Sequence, residues 1–461
     1  MALNRSSKWL WLCVVFALCF TLRVGVGAVI DATVTVIKRA DVYSDIAANL
    51  VRGHGFVAEA GGEPIIWRAP LYPAFLAAVY ALFGEQNETG VFLVQCALDS
   101  VTSVLIFYMG VRLFGETVGL LSAVSFAVHP LSAYYSLRLL PESLFTLTFT
   151  AVIAAWISAV ATRRFMAYMV VGALIAVTSL VKPVALGLWP LLAAYAICRL
   201  RDEPSRALTS ATALTLACLI VLVPWALRNY RVTGEIVAVA TGGGYALWLG
   251  NQMVSEGKED WEVDETTRAH LFERRDAIIM RTEPADQAFT PVSNYPLIRS
   301  ATQPVHISVP EDHAFFLAAW REIASHPFDT MLLTVRKLFR FFFKVFLPEN
   351  RWAQSYIILF QSLFLGVASL GMLEARRQGV MVFALILPIL FLAAVYSMTF
   401  STIRYSIPTI PILSILSAAG LRAIVHALNE RWGLSLGVSW VRWLRAAPVG
   451  AMVRSYRETR L

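Results

Sequence analysis

The sequence predicts an all-α polytopic membrane protein with about ten transmembrane helices, and three observations carry that expectation. Of 461 residues, 57% are hydrophobic and 15% charged, which is too apolar for a water-soluble domain of this length. Uncharged runs of roughly 16–25 residues recur, enough to cross a hydrocarbon core, and backbone placed there must bond to itself as helix. The net charge of +8 comes from bases gathered between the apolar runs and in the C-terminal tail. Bases so placed set topology and meet anionic lipid, so nucleic acid is not an expected partner.

The apolar runs place spans near 8–30, 89–112, 117–136, 142–161, 166–181, 184–199, 207–227, 355–373, 380–399 and 405–426. The first extends from Trp9 to Ile30, interrupted by Arg23. Gly25 and Gly27 resemble a signal-peptide cleavage site, but the run is long for a signal and reads as a retained span. With the N-terminus inside, Arg112, Arg163, Arg164, Arg199, Arg201, Arg206, Arg376 and Arg377 fall in inside loops, and both termini are cytosolic. Four regions follow. Residues 1–227 form an N-terminal transmembrane module with a first outer loop at 31–88, and 228–354 form an extracytoplasmic segment. Residues 355–426 are C-terminal transmembrane helices, and 427–461 a basic amphipathic cytoplasmic tail.

Several apolar stretches are expected not to span. "LYPAFLAAVYALFG" (71–84) is too short and suits an interfacial or re-entrant helix. "TVRKLFRFFFKVF" (334–346) carries Arg336, Lys337, Arg340 and Lys344, whose heads can snorkel to lipid headgroups from a helix lying flat on the outer surface. "SLVKPVALG" (179–187) reads as a tight hairpin, and 311–327 as an amphipathic helix over the membrane part. The stretch 254–310 reads as an acceptor-side cap or lid. The five cysteines lie in or at the ends of apolar runs without CxxC or Cys/His spacing, so neither a disulfide framework nor a metal site is expected.

The polar residues with chemical potential gather outside the spans. Asp41, Asp45 and Asn49 recur at i, i+4 and i+8 beside Ile46, Leu50 and Val51, the pattern of an amphipathic helix ended by Gly53 and Gly55. A carboxylate there can accept a proton from a nucleophile within hydrogen-bond reach. Glu142 follows Pro141 in the first turn of a span, where the helix dipole favours an acid. Asp99, inside a span, must face protein or water, and reads as a helix-pairing residue. His54 and His129 have no metal-ligand spacing.

Taken in order, "DVYSDIAANLVRGHGF" (41–56), "WRAPLYPAFLAAVYALFG" (67–84), "HPLSAYYSLRLLPESLF" (129–145), "SLVKP" (179–183), "PWALRNYRVTG" (224–234), "GGGYALWLGN" (242–251) and "RYSIPTIPIL" (404–413) form a pattern. It resembles the bacterial GT-C glycosyltransferases, specifically the protein O-mannosyltransferase and lipid A aminoarabinose-transferase superfamily (glycosyltransferase family 39-like). The resemblance runs from the first span to about residue 426. It implies a GT-C fold and transfer of a hexosyl or pentosyl group from a polyprenyl-phosphate sugar on the non-cytoplasmic side of the inner (plasma) membrane. The acceptor is a glycolipid, a polysaccharide or a protein hydroxyl, and a single displacement inverts the anomeric centre. A divalent cation is compatible with this chemistry but is fixed by no motif.

Carried onto this sequence, the resemblance makes an acid of the first outer loop the base or acceptor-positioning group. Asp41, two residues before Tyr43, is the match. Some relatives hold the acid three or four residues before that tyrosine, where Ala40 and Arg39 stand here, so Asp45 stays an alternative. An acid is also implied at Glu142, as an arginine partner or acceptor contact. The departing lipid phosphate gains charge as the glycosidic bond breaks, and pre-placed cations lower that barrier. Lys182, Arg404, Arg228, Arg138 and Arg68 are the candidates. Lys182 and Arg404 lead because each interrupts apolar sequence directly, and Arg228 binds the sugar side or braces the loop. The alternative is a lipid-linked glycan flippase or transporter, which needs charge along a path through the bilayer, whereas charge here gathers at one rim.

Overall fold

A computed structural model of the chain describes residues 5–31, 42–256, 264–281, 307–343 and 351–432. The expected spans all fall on helices, the one at 117–136 broken between two. The N-terminal part comprises α1 (Arg5–Asp31), α2 (Tyr43–Val51), α3 (Leu71–Phe83), α4 (Glu88–Phe114), α5 (Glu116–Ala127), α6 (Pro130–Ser136), α7 (Glu142–Thr162), α8 (Phe165–Val181), α9 (Leu188–Arg199) and α10 (Pro204–Thr233). Then come α11 (Gly243–Gly250), α12 (Glu265–Ile279), α13 (Val309–Ser325), α14 (Pro327–Phe343), α15 (Arg351–Arg377), α16 (Val382–Met398) and α17 (Ile410–Trp432). The multi-pass membrane character is plain. Among the described residues six helices are long and apolar enough to cross a bilayer, or seven if α5 and α6, which meet at 54°, make one span. The other expected spans fall on the shorter apolar helices Phe165–Val181, Pro183–Arg199 and Val382–Met398, so a count of ten depends on how those cross.

The bundle packs through small residues, as helices in lipid must, because apolar surface alone drives no association there. A Cβ on Gly371 of α15 would overlap the Leu416 carbonyl of α17, and one on Gly420 would overlap the Val367 carbonyl. Asp99 does pair helices. Its carboxylate lies 3.3 Å from Arg23 Nε, both side chains buried, and Arg23 also donates to the Phe126 carbonyl (3.0 Å) and Ser132 Oγ (2.8 Å). The charge that interrupts α1 is thus a staple to α4 and to the α5–α6 bend. His129 at that bend is buried edge-on against Phe360 and Phe364.

The first loop packs at one end of this bundle. On α2, Ser44, Ile46, Ala47 and Ala48 are buried and Asp45 is exposed. Asn49 does not share that exposed rim. It turns inward, donating to the Val57 (3.1 Å) and Ala58 (2.9 Å) carbonyls, because a buried amide needs partners that the folded-back loop supplies. Tyr43, Ala47, Tyr72 and Leu76 pack on Val91, Leu139 and Leu144, which sets α2 and α3 beside the start of α7. The reversal after α2 uses positive φ at Gly53 and Gly55, open to glycine at no steric cost.

At α14 the expectation of outward bases holds for Arg336, which is exposed, but not for Lys337, fully buried, or Arg340, nearly so, while Phe328, Met331, Leu332, Val335 and Phe339 are exposed. Lys344 lies outside the described residues. The inward bases are tolerated because oxygen meets them: Arg340 donates to the Glu256 carbonyl (2.6 Å) and carboxylate (3.2 Å), and Lys337 finds three acceptors. Burial, and then the Arg340 charge, push the Lys337 ammonium down from 10.5 to about 7. Beside α14, α11, α12 and α13 share a small core of Trp248, Leu249, Leu271, Phe315 and Ala319. The Ser308 capping box that starts α13 fixes its N-terminus.

Candidate active site

Three side chains from distant parts of the chain meet at the end of the bundle that carries α2 and α3. Glu142 is the first residue of α7, with Pro141 as its N-cap, and its carboxylate is buried. Its Oε1 lies 2.7 Å from Lys182 Nζ and 3.2 Å from Arg404 Nε. Local sequence explains each arrival. A residue before proline is driven out of the α region, so α8 stops at Val181 and Lys182 is extended ahead of Pro183. Arg404 lies in a 3-10 segment, Ile403–Thr409, which Pro408 keeps from becoming regular helix ahead of α17.

Aromatic faces hold the two cations. Lys182 Nζ sits 5.4 Å from the Phe145 ring centroid and 5.3 Å from that of Tyr405. The Arg404 guanidinium is 4.9 Å over Tyr405, and Tyr405 stacks on Tyr396 at 4.3 Å. The triad is graded in exposure: the Glu142 side chain is 1% exposed, Lys182 12% and Arg404 29%. One carboxylate holds two cations at a half-dry boundary, with the cations on its more exposed side, an arrangement able to receive an anion.

The other candidates fall in different places. Arg138 bonds and stacks on Tyr134, and the Tyr135 phenol lies within electrostatic reach of Arg138, Arg404 and Glu142 together. The Arg138 carbonyl is pinned by Gln95 Nε2 at 2.9 Å, and Gln95 in turn accepts from Tyr72 OH at 3.1 Å. Arg68 stacks between Tyr43 and Trp67. Arg228 turns to the Ile65 carbonyl at 2.7 Å over Trp225, which braces the first loop against α10. Asp45 is on the exposed side of α2, and Asp41 lies outside the described residues. Sequence reasoning missed Tyr405, Tyr135 and Gln95. Tyr405 had a signal, since it adjoins Arg404, but aromatic neighbours are too common in membrane helices to stand out.

Residues 67–227 match the family model described as dolichyl-phosphate-mannose-protein mannosyltransferase, an interval that contains Arg68, Arg138, Glu142 and Lys182. The oligosaccharyltransferase AglB from Archaeoglobus fulgidus, solved with an inhibitory peptide and a dolichol-phosphate, superposes at a TM-score of 0.51 and 11% identity, over 97% of this chain and 56% of that one. Its apo form superposes at 0.51 and 12% identity, over 96% and 56%. The chain shares the fold of these two structures and spans little more than half their length. ArnT from Cupriavidus metallidurans with undecaprenyl phosphate superposes more loosely, at 0.42 and 13% identity, over 91% and 79%. No curated protein matches the chain in sequence.

Proposed function

We propose that this protein is a GT-C-type glycosyltransferase that moves a sugar from a polyprenyl-phosphate donor to an acceptor hydroxyl. The carrying observation is the pairing of Lys182 and Arg404 on the buried Glu142 carboxylate. A polyprenyl-phosphate sugar is a phosphodiester with one negative charge, an anion that two neighbouring cations can meet. As the bond between the anomeric carbon and the phosphate oxygen breaks, its electron pair stays on that oxygen and the phosphate gains charge. Cations already held in place by Glu142 and the Tyr405 ring stabilise that charge without reorganising, which is where such groups lower a barrier most. The mannosyltransferase family match and the dolichol-phosphate bound to AglB support a lipid phosphate as donor.

In this reading the acceptor oxygen attacks the anomeric carbon opposite the leaving phosphate, inverting it, and its proton passes to a carboxylate of the first loop. Asp41 is assigned that role, with Asp45 the competitor. Asp41→Asn is expected to lower turnover by about two orders of magnitude or more, with Asp45→Asn smaller, in transfer assays on purified protein. Wild-type turnover in Asp41→Asn removes the assignment, and a larger loss at 45 moves it there. The sugar is a hexose or pentose, and the acceptor a glycolipid, polysaccharide or protein.

The reading also requires the site to face away from the cytosol, at the inner membrane. With Cys13 and Cys198 replaced by serine, His270→Cys in α12 is expected to react with an impermeant thiol reagent added to intact spheroplasts. Asp202→Cys, on the turn before α10, is expected to stay unlabelled until the membrane is opened. The reverse pattern puts the site in the cytosol and removes the donor argument.

A further inference from the structure

Lys337 stands on α14, away from the triad in sequence, and is fully buried. Its Nζ donates to the Gly250 carbonyl (3.0 Å), the Met398 carbonyl (3.2 Å) and Asn251 Oδ1 (3.3 Å). Three acceptors meet the three N–H donors of an ammonium. Two of them are terminal helix carbonyls, since Gly250 ends α11 and Met398 ends α16. Such carbonyls lack intrahelical partners and lie at the negative pole of the helix dipole, where a cation is favoured. Asn251 closes the knot, its Nδ2 donating to Met398 O at 2.8 Å and Leu247 O at 2.7 Å.

The knot grips the connection that leads to Arg404. A Cβ on Gly250 would overlap the Thr399 carbonyl, so the end of α11 rests directly on the backbone leaving α16. From Thr399 only a short run separates the knot from the 3-10 segment that begins at Ile403. A second contact joins the same parts: Phe341 of α14 stacks on Tyr396 (6.0 Å), and Tyr396 stacks on Tyr405 (4.3 Å), the ring faced by Arg404 and Lys182. A methionine could fill the space of Lys337 without the cost of burying a charge. What the ammonium adds is three directed bonds.

We infer that Lys337 is a positioning residue that fastens the 398–404 connection and thereby fixes where Arg404 meets the donor phosphate. The second half rests on the phosphate role proposed for Arg404; the fastening does not. The test compares purified wild type, Lys337→Met, Asn251→Ala, Arg404→Ala and the double variant Lys337→Met/Arg404→Ala in detergent. Amide hydrogen exchange over 396–406 reports the connection, and steady-state transfer reports donor and acceptor KM separately. Lys337→Met and Asn251→Ala are expected to speed exchange at 398–404 while the α7–α8 peptides keep their protection. Donor KM is expected to rise about 10-fold with acceptor KM unchanged. Adding Lys337→Met to Arg404→Ala is expected to change donor KM by less than about 2-fold, since the guanidinium being positioned is already gone.

A merely structural lysine would instead loosen the bundle generally and act equally in both backgrounds. Unchanged exchange at 398–404 in a folded variant overturns the inference, as does full additivity with Arg404→Ala. Asn251→Ala carries the same test if Lys337→Met fails to fold. Absence of transfer from every polyprenyl-phosphate donor in the wild type sinks the functional reading alone, and the exchange result then decides for or against the fastening.

Discussion

Lys182→Ala and Arg404→Ala are each expected to cost about 2–4 kcal/mol of transition-state stabilisation, roughly 30- to 1,000-fold in kcat/KM for the donor. Arg404, with 29% of its side chain exposed, belongs at the lower end, and Lys182, at 12%, at the upper end. Both contact one carboxylate and one tyrosine ring, so they act as a unit. The double variant should fall short of the sum of the singles, because one surviving cation no longer holds the phosphate in register. Donor kcat/KM measured for the four proteins of this cycle decides the matter. Strict additivity would mean two independent surface charges rather than one anion receptor.

Glu142→Gln attacks the same unit from beneath. The substitution keeps the shape but removes the charge that Lys182 and Arg404 share. Removing one partner of a fully buried pair costs roughly 3–5 kcal/mol. Here the loss should be smaller, about 2–3 kcal/mol, because Arg404 is partly solvated. Thermal unfolding in detergent should show a lowered midpoint. Inorganic phosphate or polyprenyl phosphate should recover more of it in the variant than in wild type, since an added anion replaces the missing charge. An unchanged midpoint with no anion effect would mean that the carboxylate does not organise the cations.

How far the sequence alone reached follows from the physics of each element. Long apolar runs must be helical in lipid, so the expected spans fall on helices, the one at 117–136 broken into α5 and α6. Lys182 and Arg404 could be singled out because each interrupts apolar sequence directly. That Glu142 joins the two could not be read there, since the resemblance implied it only as an arginine partner or acceptor contact. An acid in a first helical turn is ordinary, and only the tertiary fold brings the turn at 182 and the 3-10 segment at 403–409 onto Glu142. The inward turn of Lys337 was illegible for a different reason. In a membrane protein both the lipid-facing and the protein-facing sides of a helix can be apolar, so the pattern of α14 does not say which face its bases take. Asn49 shows the limit of periodicity: i+8 spacing put it on the rim of Asp45, but the carbonyls of the folded-back loop drew it inside.

The most direct test of the glycosyl-transfer reading is a single comparison on purified protein. Labelled polyprenyl-phosphate sugars are offered in detergent together with a cell-envelope extract as acceptor, and released polyprenyl phosphate is measured for wild type and Lys182→Ala/Arg404→Ala. The same preparations are reconstituted into liposomes and assayed for movement of the lipid-linked sugar between leaflets. Detergent leaves no compartments to cross, so an enzyme still turns over there while a flippase has nothing to do. The account predicts sugar transfer and phosphate release in detergent, abolished in the double variant. No transfer with any donor, alongside translocation in liposomes that depends on Lys182 and Arg404, would contradict it.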